Sequence, residues 1–277
     1  SYQWTVDGIP VAETGDTLDG ATWFERDQII EVSVTPSDGT DDGDSMKDSI
    51  TVLNSTPVAS AVDISPTELF TDDEAQAVVT GGDDDDDGVS YTYAWYVDGA
   101  LVAETGSSLS GADYFDRDQT IYVVATPDDG TDSGTSVTSS SVTISNSPPE
   151  LTAIDLAPDP LATDDPLVAT PTATDADGDS ISYTWKWTVS GTASSETTDT
   201  LDGRTEFDKG DVIIASAVPS DGDDDGDAFS SASITVGNTA PEITSVSLSP
   251  TVLYTDDTLI ASVSTLDADG DSVSVTY

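Results

Sequence analysis

The 277-residue chain contains no cysteine and no histidine. Without Cys, no disulfide can staple the fold and no thiolate can serve as a metal ligand or nucleophile. Without His, the Ser-His and Cys-His nucleophile systems fall away, together with His-bearing zinc sites. Positive charge is almost missing as well: six Lys and Arg stand against 55 Asp and Glu, a formal net charge of −49. Phosphate is gripped by Lys and Arg, so nucleic acid is excluded as a partner. An anionic membrane surface would repel the chain, and no apolar run is long enough to insert in a bilayer. The chain does not begin with Met and shows no signal peptide, which predicts a mature or excised segment. Yet 36% of residues are hydrophobic and five are Trp, which argues against a disordered acidic chain.

What is present is a repeat. Asn54, Asn146 and Asn238 fall at a constant step of 92 residues. Pro57, Pro149 and Pro241 keep that step, as do Pro66, Pro158 and Pro250. Trp4, Trp95 and Trp187 mark the same aromatic strand in Y-Q-W-T-V-D-G, Y-A-W-Y-V-D-G and W-K-W-T-V-S-G. A unit of this length can hold its own core, unlike the shorter solenoid repeats. The register predicts two complete repeats, 55–146 and 147–238. Residues 1–54 are the C-terminal part of a further repeat and 239–277 the N-terminal part of another. Tyr2 is in phase with Tyr93, Trp185 and Tyr277, so both terminal pieces should expose half a core. Two readings follow: a window from a longer covalent array, or chains in which the end of one completes the start of the next. The unbroken phase favours the window.

Within 55–146, apolar and polar residues alternate in short turn-bounded runs: 58–65, 75–80, 89–97, 119–126 and the stretch around Val142 and Ile144. Alternation in 89–97 puts Tyr91, Tyr93, Trp95 and Val97 on one face, with Tyr96 opposite. Lys186 points to the corresponding outer face of the next repeat, and both it and Tyr96 are expected to be exposed. About seven short strands and no helical periodicity predict an all-β chain of tandem antiparallel β-sandwiches of immunoglobulin type. Trp95, Ile121, Val123 and Val142 are the expected core, with their repeat equivalents.

The motifs N-T-A-P-E (238–242), T-D-D-T-L (255–259), D-A-D-G-D-S (267–272), W-T-V-D-G (4–8) and T-P-S-D-G (35–39) carry a resemblance. The chain resembles bacterial tandem immunoglobulin-like repeats related to polycystic-kidney-disease-type (PKD) and cadherin-like domains. That resemblance implies a place on the surface of a bacterium or archaeon, in a giant surface protein, adhesin or stalk.

Carboxylates recur at alternate positions on tight loops: Asp83, Asp85 and Asp87; Asp175, Asp177 and Asp179; Asp267, Asp269 and Asp271. Hard oxygen donors at this spacing suit Ca²⁺, which accepts irregular geometry. The pattern is not an EF-hand, since the twelfth position holds Lys186 or Ala94 where a bidentate Glu is required. In a sandwich of this topology the 83–87 and 128–132 loops meet at the pole where the chain enters. The loops bearing Asp72–Asp73 and Asp116–Asp118 lie at the other pole. Each joint of an array would then collect acid from both sides, and Ca²⁺ would stiffen it. The second loop, with Asp38, Asp129 and Asp221, divides evenly between ion site and solvated turn. The competing explanation is a saline habitat, in which acid is spread over the surface with no specific ion.

Catalysis finds no support. D-S-G-T at 132–135 matches an aspartic-protease signature in letters only, and its repeat equivalents read D-D-G-D. Among 55 acids some carboxylate pair always has glycosidase spacing. The expected role is structural: calcium-stiffened tandem domains, with copies of the chain as partners in the array or in lateral filaments through unpaired sheet edges. The alternative is an adhesive module binding a glycan or a partner cell. It would call for exposed aromatics outside the repeat pattern; Trp23 and Trp185 align with Tyr114 and Tyr93 and do not qualify. Asn54 heads an N-S-T acceptor triplet, but its place in each linker assigns it to the turn.

Overall fold

The computed structural model describes residues 1–276; Tyr277, placed in phase with Tyr2 by the repeat, lies outside the described residues. The chain forms two compact units, Ser1–Ser145 and Asn146–Tyr277. Each contains one closed sandwich and one partial repeat.

In the first unit one sheet joins Val58–Ser65, Glu74–Gly82 and Ser108–Ser110. The facing sheet joins Val137–Thr138, Thr120–Asp128, Ser90–Val97 and Ala100–Leu101, with Val142–Thr143 also on Thr120–Asp128. The last strand is interrupted at Ser139, whose hydroxyl takes the Val123 N–H at 3.0 Å in place of a ladder bond. Counting its two halves as one gives the seven-strand immunoglobulin-like plan. The second unit repeats it with Glu150–Ala157, Pro166–Thr174 and Thr200–Asp202 facing the sheet built on Val212–Ser220 and Ser182–Val189. A short parallel pair, Leu161–Ala162 with Ile234–Gly237, draws the two sheets together at one edge.

Alternation decides which side chains meet. Val123 lies opposite Trp95, and Ile121 opposite Val97, so inward residues of two strands share one layer. Trp95, Leu109, Ile121 and Val123 are fully buried in one core, and Trp187, Leu201 and Ile213 in the other. Neither core takes a residue from the other. Each buried indole still finds a partner: Trp95 donates to the Gly106 carbonyl at 3.0 Å and Trp187 to that of Thr198 at 2.9 Å.

Three expectations are corrected. Val142 is only partly buried; Ile144, two residues on, fills the core at that strand end. Tyr96 faces outward but is half-covered, because its ring stacks on Tyr122 at 4.6 Å. One-turn helices occur at Gly20–Trp23, Gly111–Tyr114 and Gly203–Glu206. Four residues are too few to show a 3.6-residue period.

The partial repeats are open. Residues 1–54 form a single sheet in the order Ile9–Pro10, Tyr2–Val6, Ile29–Val34, Met46–Thr51. Residues 239–276 form only the hairpin Glu242–Ser249 with Ile260–Leu266. Both leave large apolar side chains in solvent, including Ile50 at 71% and Val246 at 62%.

Candidate metal centre

Each D-x-D-x-D loop is a tight turn whose first carboxylate caps its own backbone. Asp83 Oδ1 accepts the Asp85 N–H at 2.7 Å. Asp175 Oδ1 accepts those of Asp177 and Asp179, and Asp267 Oδ1 those of Asp269 and Asp271. The turn needs a left-handed residue at its fourth position. Gly178 and Gly270 supply it at φ 79° and 73°, and Asp86 takes the same conformation at φ 60°. Asp is among the few side chains that tolerate this region. So the all-Asp run 83–87 folds like its glycine-bearing equivalents.

The middle carboxylate grips the linker. Asp85 Oδ2 accepts the Ser55 N–H at 2.6 Å, Asp177 Oδ2 that of Ser147 at 2.7 Å, and Asp269 Oδ2 that of Thr239 at 2.7 Å. The second acidic loop reaches the same linker from the other side. The Asn54 amide donates to Asp129 at 2.9 Å and Asp132 at 3.0 Å; Asn146 repeats this with Asp221 and Asp224, both at 2.9 Å. The two acidic loops therefore converge where the chain enters each closed sandwich.

In all three triplets, one ligand oxygen from each Asp lies within 4.8 Å of the others. A common ion at the 2.3–2.6 Å typical of Ca²⁺–oxygen bonds fits that spread. In the first two triplets one oxygen is buried with no hydrogen-bond partner, Asp83 Oδ2 and Asp175 Oδ2; in the third, the Thr163 hydroxyl stands against Asp269 and holds its carboxyl below the usual range. Buried anionic oxygens without partners are costly, and a hard cation would relieve that cost. The residues present fit calcium on this count.

The third carboxylate is used differently. Asp87 pairs with Arg26, which also donates to Asn54 Oδ1. Lys209 bridges Asp271 and Asn238 Oδ1, both at 2.6 Å. The hydrogen bond to Asp271 raises the Lys209 pKa above its ordinary value. A protein cation thus already sits beside the carboxylates in these two joints. The repeat register marks the position, since three of the six basic residues, Arg26, Arg117 and Lys209, share it, but not the carboxylate each one meets.

The second acidic loop is tuned by hydrogen bonds. The Asn54 amide, then the backbone N–H groups of Asp132 and Thr131, hold the Asp129 carboxyl below the usual carboxylate range. The Asn146 amide does the same for Asp221. A carboxyl depressed in the folded state adds stability above its unfolded pKa, about 3.9, and loses it as pH falls through the lower folded value. Acidification from pH 7 should therefore leave the Asn54 side-chain amide resonances unmoved until below about pH 4. There they should shift together with the Asp129 carboxyl signal. Movement of the amide near pH 6 would contradict the coupling.

No protein-family model and no curated protein matches the chain. Among solved structures it is similar to the FN1-FN3 domains of chicken CNTN1, at 11% identity over 76% of this chain and 77% of that one, TM-score 0.31. It is similar to the N-terminal eight Ig domains of Down Syndrome Cell Adhesion Molecule at 11% identity, covering 89% of this chain and 34% of that one, TM-score 0.38. Sidekick-1 immunoglobulin domains 1-5 give 9% identity over 96% of this chain and 60% of that one, TM-score 0.32.

Proposed function

We propose that the chain is a non-enzymatic structural segment of a large extracellular surface protein, fibre or adhesin stalk. Its tandem immunoglobulin-like domains would be stiffened at their joints by Ca²⁺. One observation carries the reading: both acidic loops of a domain close on the same linker, at Asn54 and Ser55, and the first two D-x-D-x-D triplets each keep a buried oxygen unpartnered. Asp83, Asp85 and Asp87 would hold one ion, Asp175, Asp177 and Asp179 a second, and Asp267, Asp269 and Asp271 a third. Bound calcium supplies positive charge to a chain of net −49. The protein's own part is geometric: Asn54 and Asn146 tie the linker to one loop, while Asp85 and Asp177 tie it to the other. The PKD-type and cadherin-like kinship, and a bacterial or archaeal source, belong to this reading. No helix among the described residues is long and apolar enough to cross a membrane.

Thermal melting in Ca²⁺ and in EDTA, at moderate salt, tests it. A ligand at a hundred times its Kd stabilises a domain by about 2.7 kcal/mol, so calcium should raise Tm by roughly 10 °C or more. In a D175N/D177N chain the second unit should lose the part of that gain due to the 175–179 site and keep the part due to 267–271. An unchanged Tm in EDTA would sink the calcium reading and leave salt adaptation in its place. Lateral filament assembly fits the same role, because Met46–Thr51 is an uncovered sheet edge.

A second reading, adhesion, has one observation of its own. The stacked Tyr96 and Tyr122 lie beside the exposed Leu101 on an outer sheet face. Their repeat equivalents, Thr188 and Ile214, are not aromatic, so this patch stands outside the repeat pattern. Glycan-array binding that disappears in a Y96A/Y122A chain would establish it.

A further inference from the structure

The turn that carries Arg26 is built again around Arg117 and Lys209. The Glu25 N–H donates to the Gln28 side chain at 2.8 Å, that of Asp116 to Gln119 at 2.8 Å and that of Asp208 to Asp211 at 2.9 Å. The residue after the basic one is left-handed in all three: Asp27 at φ 67°, Asp118 at φ 68° and Gly210 at φ 90°. Its N–H ties the turn to the segment that enters the linker. Asp27 donates to the Val52 carbonyl and Gly210 to that of Val236, both at 3.0 Å. Asn54 and Asn238 follow just beyond. Backbone therefore fixes where the Arg26 and Lys209 side chains set out.

Both side chains end on the next repeat. Arg26 donates through Nη1 to Asn54 Oδ1 and Asp87 Oδ2, and Lys209 through Nζ to Asn238 Oδ1 and Asp271 Oδ2. Asp87 and Asp271 are the last carboxylates of the D-x-D-x-D loops that follow. The linker asparagine joins the two sides. Asn54 takes the cation of the repeat behind it on its oxygen and donates its amide to Asp129 of the repeat ahead. The arrangement arises once in each compact unit, with Arg in one and Lys in the other. The Arg26 and Asp87 side chains are 30% and 29% exposed, while Lys209 and Asp271 keep 40% and 53%. Water and salt therefore weaken the Lys pair more than the Arg pair.

We propose that the acidic entry pole of residues 55–145, and that of 239–276, is a docking site for the basic turn of the repeat before it. Arg26 and Lys209 latch these joints and hold the neighbouring repeats in one orientation. The latch uses a cation that the chain itself carries, so it stands or falls separately from the calcium reading.

The chain has no cysteine, so spin labels can be placed in pairs without background. S49C/Q76C spans the first joint and T184C/S262C the second, all at exposed positions. Double electron–electron resonance on residues 1–277, in EDTA, reads the spread of each distance. Without substitution at the latch, each joint should give one narrow distance. R26Q should widen the first and K209Q the second roughly twofold, because each removes charge-assisted hydrogen bonds. R26K should stay narrow, and D87N added to R26Q should widen nothing further. Each change should leave the other joint and the melting of the closed sandwiches as they were, showing that the loss is not unfolding. Raising salt from about 0.1 M to 1 M should loosen the second joint more than the first. A distance that is broad in EDTA and narrows only when Ca²⁺ is added would overturn the latch and leave calcium as the fastener. An R26Q distance as narrow as that of the unsubstituted joint would overturn it too. A Tm insensitive to EDTA would sink the calcium reading alone.

Discussion

Trp187→Ala is expected to destabilise the sandwich within 147–238 by about 3–5 kcal/mol, the usual cost of deleting a fully buried aromatic. Trp187 is 1% exposed and sits among Leu201, Ile213 and Ala215 in one core. The change empties the centre of that core and strips the Thr198 carbonyl of its indole donor. For a domain of this size, 1 kcal/mol moves Tm by about 4–8 °C, so the loss amounts to tens of degrees. Because the cores share no residue, the sandwich within 55–145 should melt where it did before. Calorimetry should then resolve two separated transitions. If both fell together, the two cores would not be independent. The same substitution at Trp4 should cost less, since that indole is only half-buried in an open sheet.

The second large effect comes from one methyl group. In Gly134→Ala the new Cβ would lie 1.8 Å from the Pro57 carbonyl oxygen and 2.9 Å from the Pro127 ring. Backbone must move, and overpacking of this kind costs about 1–3 kcal/mol or more. The displaced segment is the start of the first strand, next to the linker held by Asn54 and Asp85. Both stability and the Asn54 amide environment should therefore change, as read by urea unfolding and by NMR. Gly43→Ala is the control. Its nearest neighbour is a Pro36 ring carbon at 3.0 Å, which must give by a few tenths of an ångström, with no backbone atom as close as the Pro57 oxygen, so the loss should be smaller. Equal losses at both positions would show that the Pro57 contact is not the cause.

Much of the architecture could be read before any coordinates. The Trp4, Trp95 and Trp187 register and the alternation in 89–97 led to the sandwich and to its central indoles. The alternate carboxylates of Asp175–Asp179 led to three clusters that do converge. Three features stayed hidden for physical reasons. The one-turn helices are shorter than the period that would reveal them. Val142 and Ile144 share a face in the alternation, which does not tell which goes deeper; it is Ile144. The joint cation was missed because Arg26 and Asp87 are 61 residues apart, and their meeting depends on how the linker is held.

The separation of the two cores has a mechanical consequence. Tension applied along the chain would load both sandwiches equally, and because their cores share no residue one could rupture while its neighbour holds. Each rupture would release a segment of 92 residues, roughly 300 Å of extended polypeptide. On the proposed structural role, a string of such repeats would yield in discrete lengths under load rather than all at once.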